Sequence, residues 1–433
     1  MITSPLRKSL DFLLSSVTPS TGRILDQALA GRDITVEEAT RLFDASGTEL
    51  LVITAAADHL RKKTAGDVVT YVINRNINFT NVCVKSCGFC AFSRGHRGEE
   101  GYFLPLEEVI RRAREARDLG ATEVCVQAGL APGMDGWYYV KLCRALKEAL
   151  PELHIHGFSP EEVLYGSGLA GITVRDYLSA LKEAGVGSLP GTSAEILVDE
   201  VRGRISPGRI STAKWVELIE TAHHLGIPTT STIMYGHVEN SYHKAVHLGI
   251  LRDIQKRTGG ITELVPLSFV FEEAPIYHRK KIPGLRTGAS GAEVMKMYAV
   301  SRLMLNNWIP NLQVSWVKEG PKLSQISLMA GANDFGGTLI NESISTAAGA
   351  GYGQLMKPSQ FHNLIREMGR IPGERSTTYK KIRVFETEDN PVQLLDEVDN
   401  PEERFGSYRH LIHLKDYRFK DFYHVQKNPE PKA

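Results

Sequence analysis

Short apolar stretches alternate with amphipathic stretches of helical periodicity from Val68 to about residue 335 of this chain. Strands are predicted at residues 70–79, 123–127, 153–158, 186–189, 229–234, 263–269, 311–315 and 328–333. Several of the helices between them end at a glycine, as helices often do. About eight strand–helix units in roughly 270 residues predict an α/β fold, a (β/α)8 TIM-type barrel rather than an open doubly wound sheet.

The segments on either side of the predicted barrel lack this alternation. Residues 1–66 have helical periodicity, with a helix start at residues 33–37. From about Pro372 the chain is charged and rich in aromatic residues, without strand–helix alternation. We therefore expect a helical N-terminal segment (1–66), a barrel (67–350) and a C-terminal extension (351–433) that packs its aromatic side chains on the barrel. A basic, aromatic strip for nucleic acid at residues 404–425 is the less favoured interpretation.

The composition excludes several classes of protein. The 51 basic and 50 acidic side chains give a net charge of +1, which provides no general attraction to nucleic acid or to an anionic membrane. No apolar run approaches the roughly 18 residues of a transmembrane helix, and serines interrupt the short apolar start, so we expect no signal peptide. Five cysteines are too few, and odd in number, for a disulfide scaffold. We expect a cytoplasmic protein with a large core.

Three of the five cysteines fall within eight residues, directly after the first predicted strand: Cys83, Cys87 and Cys90. Structural zinc sites pair such cysteines with a second pair of ligands, and nothing suitable follows nearby. A complete iron–sulfur cluster normally takes four thiolates, so three of them leave one iron of a [4Fe–4S] cluster open. In a barrel this loop lies at the C-terminal ends of the strands, where barrel enzymes have their active sites.

The CxxxCxxC spacing in the first βα loop of a barrel resembles the radical S-adenosylmethionine (SAM) superfamily. The resemblance implies a [4Fe–4S] cluster whose open iron is chelated by the amino and carboxylate groups of SAM. It also implies that an electron from the cluster cleaves SAM to methionine and a 5′-deoxyadenosyl radical. Further SAM contacts implied by the resemblance are Phe89, Gln127, Gly129, Glu195 and Lys214. A helix cap is the alternative role for Glu195, and Arg209 lies near Lys214 in the sequence.

Polar residues at the other predicted strand ends are candidates for the substrate pocket. His154 and His156 lie on one side of the third strand, because strand side chains repeat every two residues. For His156, a proton relay or substrate contact and a structural hydrogen bond are equally open. The His-x-His pair is also typical of metal-dependent barrel hydrolases, but those have it on the first strand. The candidate catalytic residues are His156, Tyr235 and Glu272, and the further polar strand-end residues include Lys318 and Glu319.

Longer segments narrow the resemblance. They include HIHGFSPEEV, GSLPGTSAEIL, PTTSTIMYGHVE, PLSFVFEEAP, SWVKEGP and GANDFGGTLINES. Over residues 68–379 the chain resembles the radical SAM enzymes of deazaflavin and menaquinone assembly, and it is most similar to the second subunit of FO synthase. The resemblance implies that the 4-hydroxybenzyl group of L-tyrosine is joined to C5 of 5-amino-6-(D-ribitylamino)uracil, with release of 2-iminoacetate, methionine and 5′-deoxyadenosine.

The resemblance also implies two partners. One is an electron donor for the cluster, and the other is the cyclising first subunit of FO synthase, which closes the deazaflavin ring. The chain has one CxxxCxxC motif and one predicted barrel, so it supplies only one of the two halves. The alternatives are a menaquinone-pathway enzyme similar to aminofutalosine synthase, the cyclising subunit itself, a metal-dependent barrel hydrolase using His154 and His156, and an iron–sulfur electron carrier.

Overall fold

The computed structural model describes residues 11–280, 282–387 and 392–420. The helices Pro19–Leu29, Val36–Asp44 and Thr48–Ala65 precede the first strand. The second begins at a capping box, in which the Thr35 hydroxyl accepts from the Glu38 N–H and the Glu38 carboxylate accepts from the Thr35 N–H. All three helices pack on the later helix Gly291–Leu305. The N-terminal segment therefore lies against the outer helices of the barrel.

Eight parallel strand positions form a closed ring in the part of the chain that the structure describes. The strands are β1 Val68–Val72, β2 Asn74–Ile77, β3 Glu123–Val126, β4 His154–His156, β5 Val186–Ser188, β6 Thr229–Tyr235, β7 Ile261–Ser268 and β8 Asp334–Gly337. The first position is shared by β1, which pairs with β8, and β2, which pairs with β3. Residues 312 and 313 occupy the position between β7 and β8, where Leu312 is bridged to Leu264 and Gln313 to Asp334. A bridge between Leu189 and Thr229 joins β5 to β6 and completes the ring. The predicted (β/α)8 barrel is confirmed.

Three predicted strands differ from the structure. The first, at 70–79, is divided into β1 and β2, and the stretch 311–315 contributes only the two bridged residues. The last, at 328–333, is wrong. Leu328–Ala330 is a 3-10 helix that continues the helix Trp316–Ser327, and Gly331 ends it with a φ of +100°. The true strand, β8, has the sequence Asp-Phe-Gly-Gly, in which the glycines hide the strand character.

Helices surround the ring and connect its strands. The longer ones after β2 are Leu106–Asp118, Tyr138–Ala149, Pro160–Ala170, Val174–Glu183, Thr212–His224, Ser241–Thr258, Gly291–Leu305, Trp316–Ser327 and Pro358–Glu367. The shorter ones are Asp199–Ile205, Pro275–His278, Ile344–Ala347, Pro401–Phe405 and Tyr408–Leu411. Among the described residues, no helix combines the length and the apolar character that a membrane crossing requires.

The segment after the barrel adds two strands and an aromatic layer. β9, Ile371–Arg375, pairs in parallel with β1, and β10, Lys381–Val384, pairs antiparallel with β9. Neither strand is indicated by the sequence pattern, because Pro372 and Gly373 are poor strand formers. The buried aromatic side chains of the segment include Phe361, Phe385, Phe405, Tyr408 and Phe419. Residues 421–425 of the basic, aromatic strip lie outside the described residues.

Candidate active site

A cavity of about 400 Å³ occupies the barrel interior, and its wall continues into the loops after the strands. Its size and position are typical of small-molecule sites in barrels. Eight of the predicted site residues line it: Cys83, Cys87, Phe89, Cys90, Gln127, Gly129, His156 and Glu195. Three do not: Lys214, Tyr235 and Glu272.

The loop that carries the three cysteines is held in place by the protein. The Val84 N–H donates to the Leu130 carbonyl, and the Gly88 N–H donates to the Ile205 carbonyl, both at 2.9 Å. Gly88 leaves no room for a side chain, since a Cβ would lie 2.9 Å from the Ile205 carbonyl oxygen. All three cysteines are free thiols that face the cavity. The motif therefore presents three sulfur donors to one chamber.

Burial favours the protonated form of two of these thiols. Burial raises the pKa of Cys83 and that of Cys87, the latter to about 12. At Cys87 the guanidinium of Arg209 opposes the shift, because its Nη1 donates to Sγ at 3.3 Å. A bound metal deprotonates a coordinating thiol, so loading of this site releases protons.

The donor set fits an iron–sulfur cluster. Within the described ranges, no three His, Cys, Asp or Glu side chains converge as the ligands of a single metal ion would. Cysteines that bind a [4Fe–4S] cluster attach to different irons, so their sulfurs need not converge on one point. Three thiols from one loop match a cluster that keeps one iron open.

Gly129 and Glu195 both have local backbone constraints. A Cβ on Gly129 would lie 2.3 Å from the carbonyl oxygen of Val82, so only glycine lets this loop pass against the residue before Cys83. Glu195 has a positive φ of +43° and forms ion pairs with Arg202 at 3.2 Å and Arg209 at 3.6 Å. The next helix, Asp199–Ile205, has no side-chain cap, so Glu195 does not serve as one.

Lys214 lies outside the cavity, and its position does not support the predicted SAM contact. It sits in the first turn of the helix Thr212–His224, where Nζ pairs with Glu217 at 2.7 Å. Arg209 instead lines the cavity and contacts Glu161 at 3.4 Å. Ser211 caps the helix, so the loop before it turns Arg209 inward while the first turn directs Lys214 toward solvent.

Glu161 was not identified from the sequence. Its carboxylate accepts from the Ile210 N–H at 2.8 Å and pairs with Lys85 at 3.0 Å. In the sequence it lies in Ser-Pro-Glu-Glu, which indicates only a helix start. The neighbouring Glu162 does cap that helix with Ser159, and burial raises the pKa of Glu162 to about 7. The capping pattern therefore accounts for this segment of the sequence without indicating that the Glu161 carboxylate pairs with Lys85 and Arg209.

The deep end of the cavity is polar. His156 Nδ1 and His154 Nε2 are both hydrogen-bonded to the Ser188 hydroxyl, at 2.7 and 2.8 Å, and only His156 lines the cavity. Burial lowers the pKa of His156 to about 4, so this imidazole is neutral. Glu123 lies beside it and accepts from Asn74 Nδ2 at 2.9 Å. Because one serine holds both imidazoles, the pair is not arranged as two ligands of one ion.

Tyr235 and Glu272 do not reach the cavity, and their positions do not support a catalytic role. Tyr235 points from β6 into the surrounding core, where its hydroxyl donates to Glu319 at 2.8 Å. The inward-facing residues of β6 are Thr230, Thr232 and Met234, so strand alternation directs Tyr235 the other way. Glu272 is exposed on the loop after β7.

The C-terminal segment closes the floor of the barrel. Arg375, at the end of β9, lines the cavity and donates two hydrogen bonds to Asp334, at 2.5 and 2.9 Å. Its guanidinium lies 3.6 Å from Glu263, which also accepts from the Tyr379 hydroxyl. Burial raises the pKa of Glu263 to about 7, and Arg375 opposes that shift. These contacts have no local sequence signal, since Arg375 is far from the barrel motifs in the chain.

Comparison with known families gives two matches. Residues 77–245 match the radical SAM superfamily, and residues 258–387 match the CofH/MqnC C-terminal region. The second match includes the floor segment around Arg375.

Curated relatives are similar over nearly their whole length. The chain is 48% identical to the 5-amino-6-(D-ribitylamino)uracil–L-tyrosine 4-hydroxyphenyl transferase of Methanothermobacter thermautotrophicus, over 85% of this chain and 99% of that protein. It is 47% identical to the enzyme of the same name from Methanocaldococcus jannaschii, over 81% of this chain and 97% of that protein.

Solved structures share the fold at low sequence identity. Methylornithine synthase superposes with a TM-score of 0.60 at 18% identity, covering 81% of this chain and 97% of that one. HydG, a maturase of the [FeFe]-hydrogenase, superposes with a TM-score of 0.64 at 17% identity, covering 86% of this chain and 79% of that one.

Proposed function

Since this chain belongs to the radical SAM superfamily and, within it, to the family of the 5-amino-6-(D-ribitylamino)uracil–L-tyrosine 4-hydroxyphenyl transferases, we propose that it joins the 4-hydroxybenzyl group of L-tyrosine to C5 of 5-amino-6-(D-ribitylamino)uracil. The observation that carries the proposal is the 48% identity over 99% of a relative with this activity in its name. The cavity supports it, because eight predicted site residues line one chamber.

Cys83, Cys87 and Cys90 would hold the [4Fe–4S] cluster. When bound, the cluster and SAM supply the 5′-deoxyadenosyl radical that starts the reaction. Arg209 and Glu195 give the same part of the protein one fixed positive and one fixed negative group, 3.6 Å apart. Such a pair is complementary to the carboxylate and amino groups of an amino-acid moiety, which the methionine part of SAM has.

The deep end of the cavity fits the uracil and its ribityl chain. Beside the Glu123 carboxylate, its lining offers uncharged hydrogen-bonding groups: Asn74, Asn76, His156, Thr230, Thr232 and Gln313. An uncharged substrate rich in hydroxyl, amino and carbonyl groups needs such donors and acceptors, because unpaired polar groups are costly to bury. His156 is neutral, so it can donate or accept according to its tautomer.

The floor segment keeps water from the radical chemistry. Arg375 and Thr377 seal the end of the barrel opposite the cysteine loop, and the Arg375–Asp334 pair is fully buried. A primary radical reacts with whatever reaches it, so a chamber closed at its floor favours the intended substrate.

The proposed reaction also requires two partner proteins and a reducing compartment. An electron donor must reduce the cluster, and a separate cyclising subunit, the first half of FO synthase, must close the deazaflavin ring, because this chain has one CxxxCxxC motif. Three reduced thiols in one oxygen-sensitive site fit a reducing compartment, which supports a cytoplasmic location.

Anaerobic reconstitution tests the function. With SAM, a reductant, tyrosine and the diaminouracil, the protein should form the coupled adduct, detected by mass spectrometry, and should bind about four irons per chain. Cys87→Ala should abolish the cluster and SAM cleavage, whereas Cys143→Ala, a thiol outside the cavity, should keep both. Reconstituted protein that cleaves SAM but leaves tyrosine intact, and instead consumes an enolpyruvyl benzoate, would establish the menaquinone-pathway alternative.

A further inference from the structure

Most of the basic side chains that line the cavity form ion pairs with carboxylates of the protein. In the described part of the chain, four basic side chains line it: Lys85, Arg209, Lys318 and Arg375. Three of them pair with carboxylates of the protein: Lys85 and Arg209 with Glu161, at 3.0 and 3.4 Å, and Arg375 with Asp334, at 2.5 Å. The fourth, Lys318, is different.

The Lys318 ammonium makes neither an ion pair nor a hydrogen bond with any residue that the structure describes. The charges that act on it belong to Glu342, Glu319 and Cys90. Burial lowers the pKa of Lys318, as expected for an ammonium group that is partly removed from water without a counter-ion in contact. An anion in the cavity would supply the missing partner.

Both neighbouring carboxylates are occupied elsewhere. Glu342 accepts from the N–H groups of Ile344 and Ser345, each at 2.9 Å. Glu319 accepts from the hydroxyls of Tyr235 and Tyr298, each at 2.8 Å. Neither is therefore free to turn toward Lys318, and the cation stays available to a ligand.

The turn that carries Lys318 is rigid. It is the first turn of the helix Trp316–Ser327, and it ends at Gly320, which has a φ of +79°, followed by Pro321. Glu319 fixes this turn to the core through its two tyrosine donors. A cation on a fixed turn loses little conformational freedom when a ligand binds. Tyr235 is thus a positioning residue beneath the cavity.

Among the two substrates, only tyrosine has an ionised acid. The diaminouracil and its ribityl chain are uncharged near neutral pH. We propose that Lys318 binds the α-carboxylate of L-tyrosine, an inference that rests on the function proposed above. Lys318 lies close enough to Cys90 for their charges to interact. The tyrosine amino group, two bonds from the anchored carboxylate carbon, is thereby held near the cysteine loop, where the cluster and SAM would supply the radical.

Binding measurements with a truncated ligand test this anchor. The reconstituted holoenzyme is equilibrated anaerobically with SAM, without reductant, and with either L-tyrosine or tyramine, which lacks the carboxylate. Wild type should bind tyrosine about 10- to 100-fold more tightly than tyramine, the usual range for a charge-assisted hydrogen bond. Lys318→Gln should remove that difference, Lys318→Arg should restore most of it, and Lys322→Gln, on the exposed face of the same helix, should leave it unchanged.

Kinetics separate this inference from the proposed function. Lys318→Gln should raise the KM for tyrosine about 10-fold or more while leaving the KM for the diaminouracil unchanged. Equal affinity of the wild type for tyrosine and tyramine, or a tyrosine KM in Lys318→Gln equal to that of the wild type, overturns the anchor while adduct formation by the wild type upholds the function. A wild type that cleaves SAM but neither binds nor consumes tyrosine overturns the function itself.

Discussion

Replacing Arg375 by methionine should destabilise the barrel and open its floor. The guanidinium and the Asp334 carboxylate are both buried and are joined by hydrogen bonds of 2.5 and 2.9 Å. Removing one partner of a buried pair costs about 3–5 kcal/mol, because the remaining charge is left uncompensated. Glu263, 3.6 Å from the guanidinium, loses its cation as well. We therefore expect a loss near the upper end of that range.

Urea unfolding of the anaerobic protein, followed by circular dichroism, measures this loss. The unfolding entropy of a chain of this length is about 0.9 kcal/mol/K, so in a matching thermal melt Tm should fall by about 5 °C. The loss of unfolding free energy depends on pH because Glu263 titrates. Burial raises the pKa of Glu263 to about 7, and the neighbouring Arg375 opposes that shift. A carboxyl with a raised folded pKa stabilises the protein below its unfolded pKa and loses that contribution as pH rises through the folded value. Since the variant raises the Glu263 pKa further, its deficit should be larger at about pH 8 than at about pH 5.5.

Two further variants control this experiment. Arg383→Met removes an exposed arginine from the neighbouring strand β10 and should change the unfolding free energy by less than about 0.5 kcal/mol. Asp334→Asn, added to Arg375→Met, removes the orphaned charge and should recover part of the loss. If Arg375→Met is as stable as the wild type, or its deficit is the same at both pH values, the reasoning about a buried ion pair at the floor is refuted.

Three other variants test the site. Gly129→Ala places a Cβ 2.3 Å from the Val82 carbonyl oxygen and should displace the cysteine loop, so that the variant binds less iron on reconstitution. The control is Gly168→Ala, whose Cβ meets no atom within 4 Å. Equal iron content in the two variants would contradict this prediction. Tyr235→Phe removes one of the two hydroxyl donors to Glu319, and burial raises the pKa of Glu319 to about 7. The free energy of unfolding should therefore fall by about 1.5–3 kcal/mol at about pH 8. It should fall by less at about pH 5.5, where Glu319 is protonated. Urea unfolding at both pH values measures this, and an equal loss at both would count against it. Arg209→Gln should weaken SAM binding about 10-fold or more in equilibrium dialysis, whereas Lys214→Gln should leave it unchanged; the reverse result would favour the sequence spacing over the structure.

The features that were predictable from the sequence are those with a local signal. Cys83, Cys87 and Cys90 lie in one short loop, so their spacing alone brings the sulfurs to one wall. Strand–helix alternation likewise predicted the barrel, because each unit forms its own strand and helix. β8 was misplaced since its Asp-Phe-Gly-Gly sequence resembles a turn, and only pairing with β1 makes it a strand.

Residues whose roles depend on distant contacts were not predictable in this way. Arg375 reaches the cavity because β9 pairs with β1, and no pattern near Arg375 indicates that pairing. Lys214 matched a family spacing, but the helix cap at Ser211 decides which way it points. Tyr235 is a different case. Counting alternate residues along β6 would have placed it on the outer face, so the signal was present in the sequence.

The position of β9 late in the chain sets an order of events during biosynthesis. Protein chains emerge from the ribosome N-terminus first, so the cysteine loop appears long before Arg375 is made. During that interval the nascent barrel has no floor, and its three thiols are open to water and oxidants from both ends. Cluster assembly at that stage would expose the iron to the same oxidants. A chamber fit to hold a cluster therefore exists only after β9 has docked on β1, late in biosynthesis.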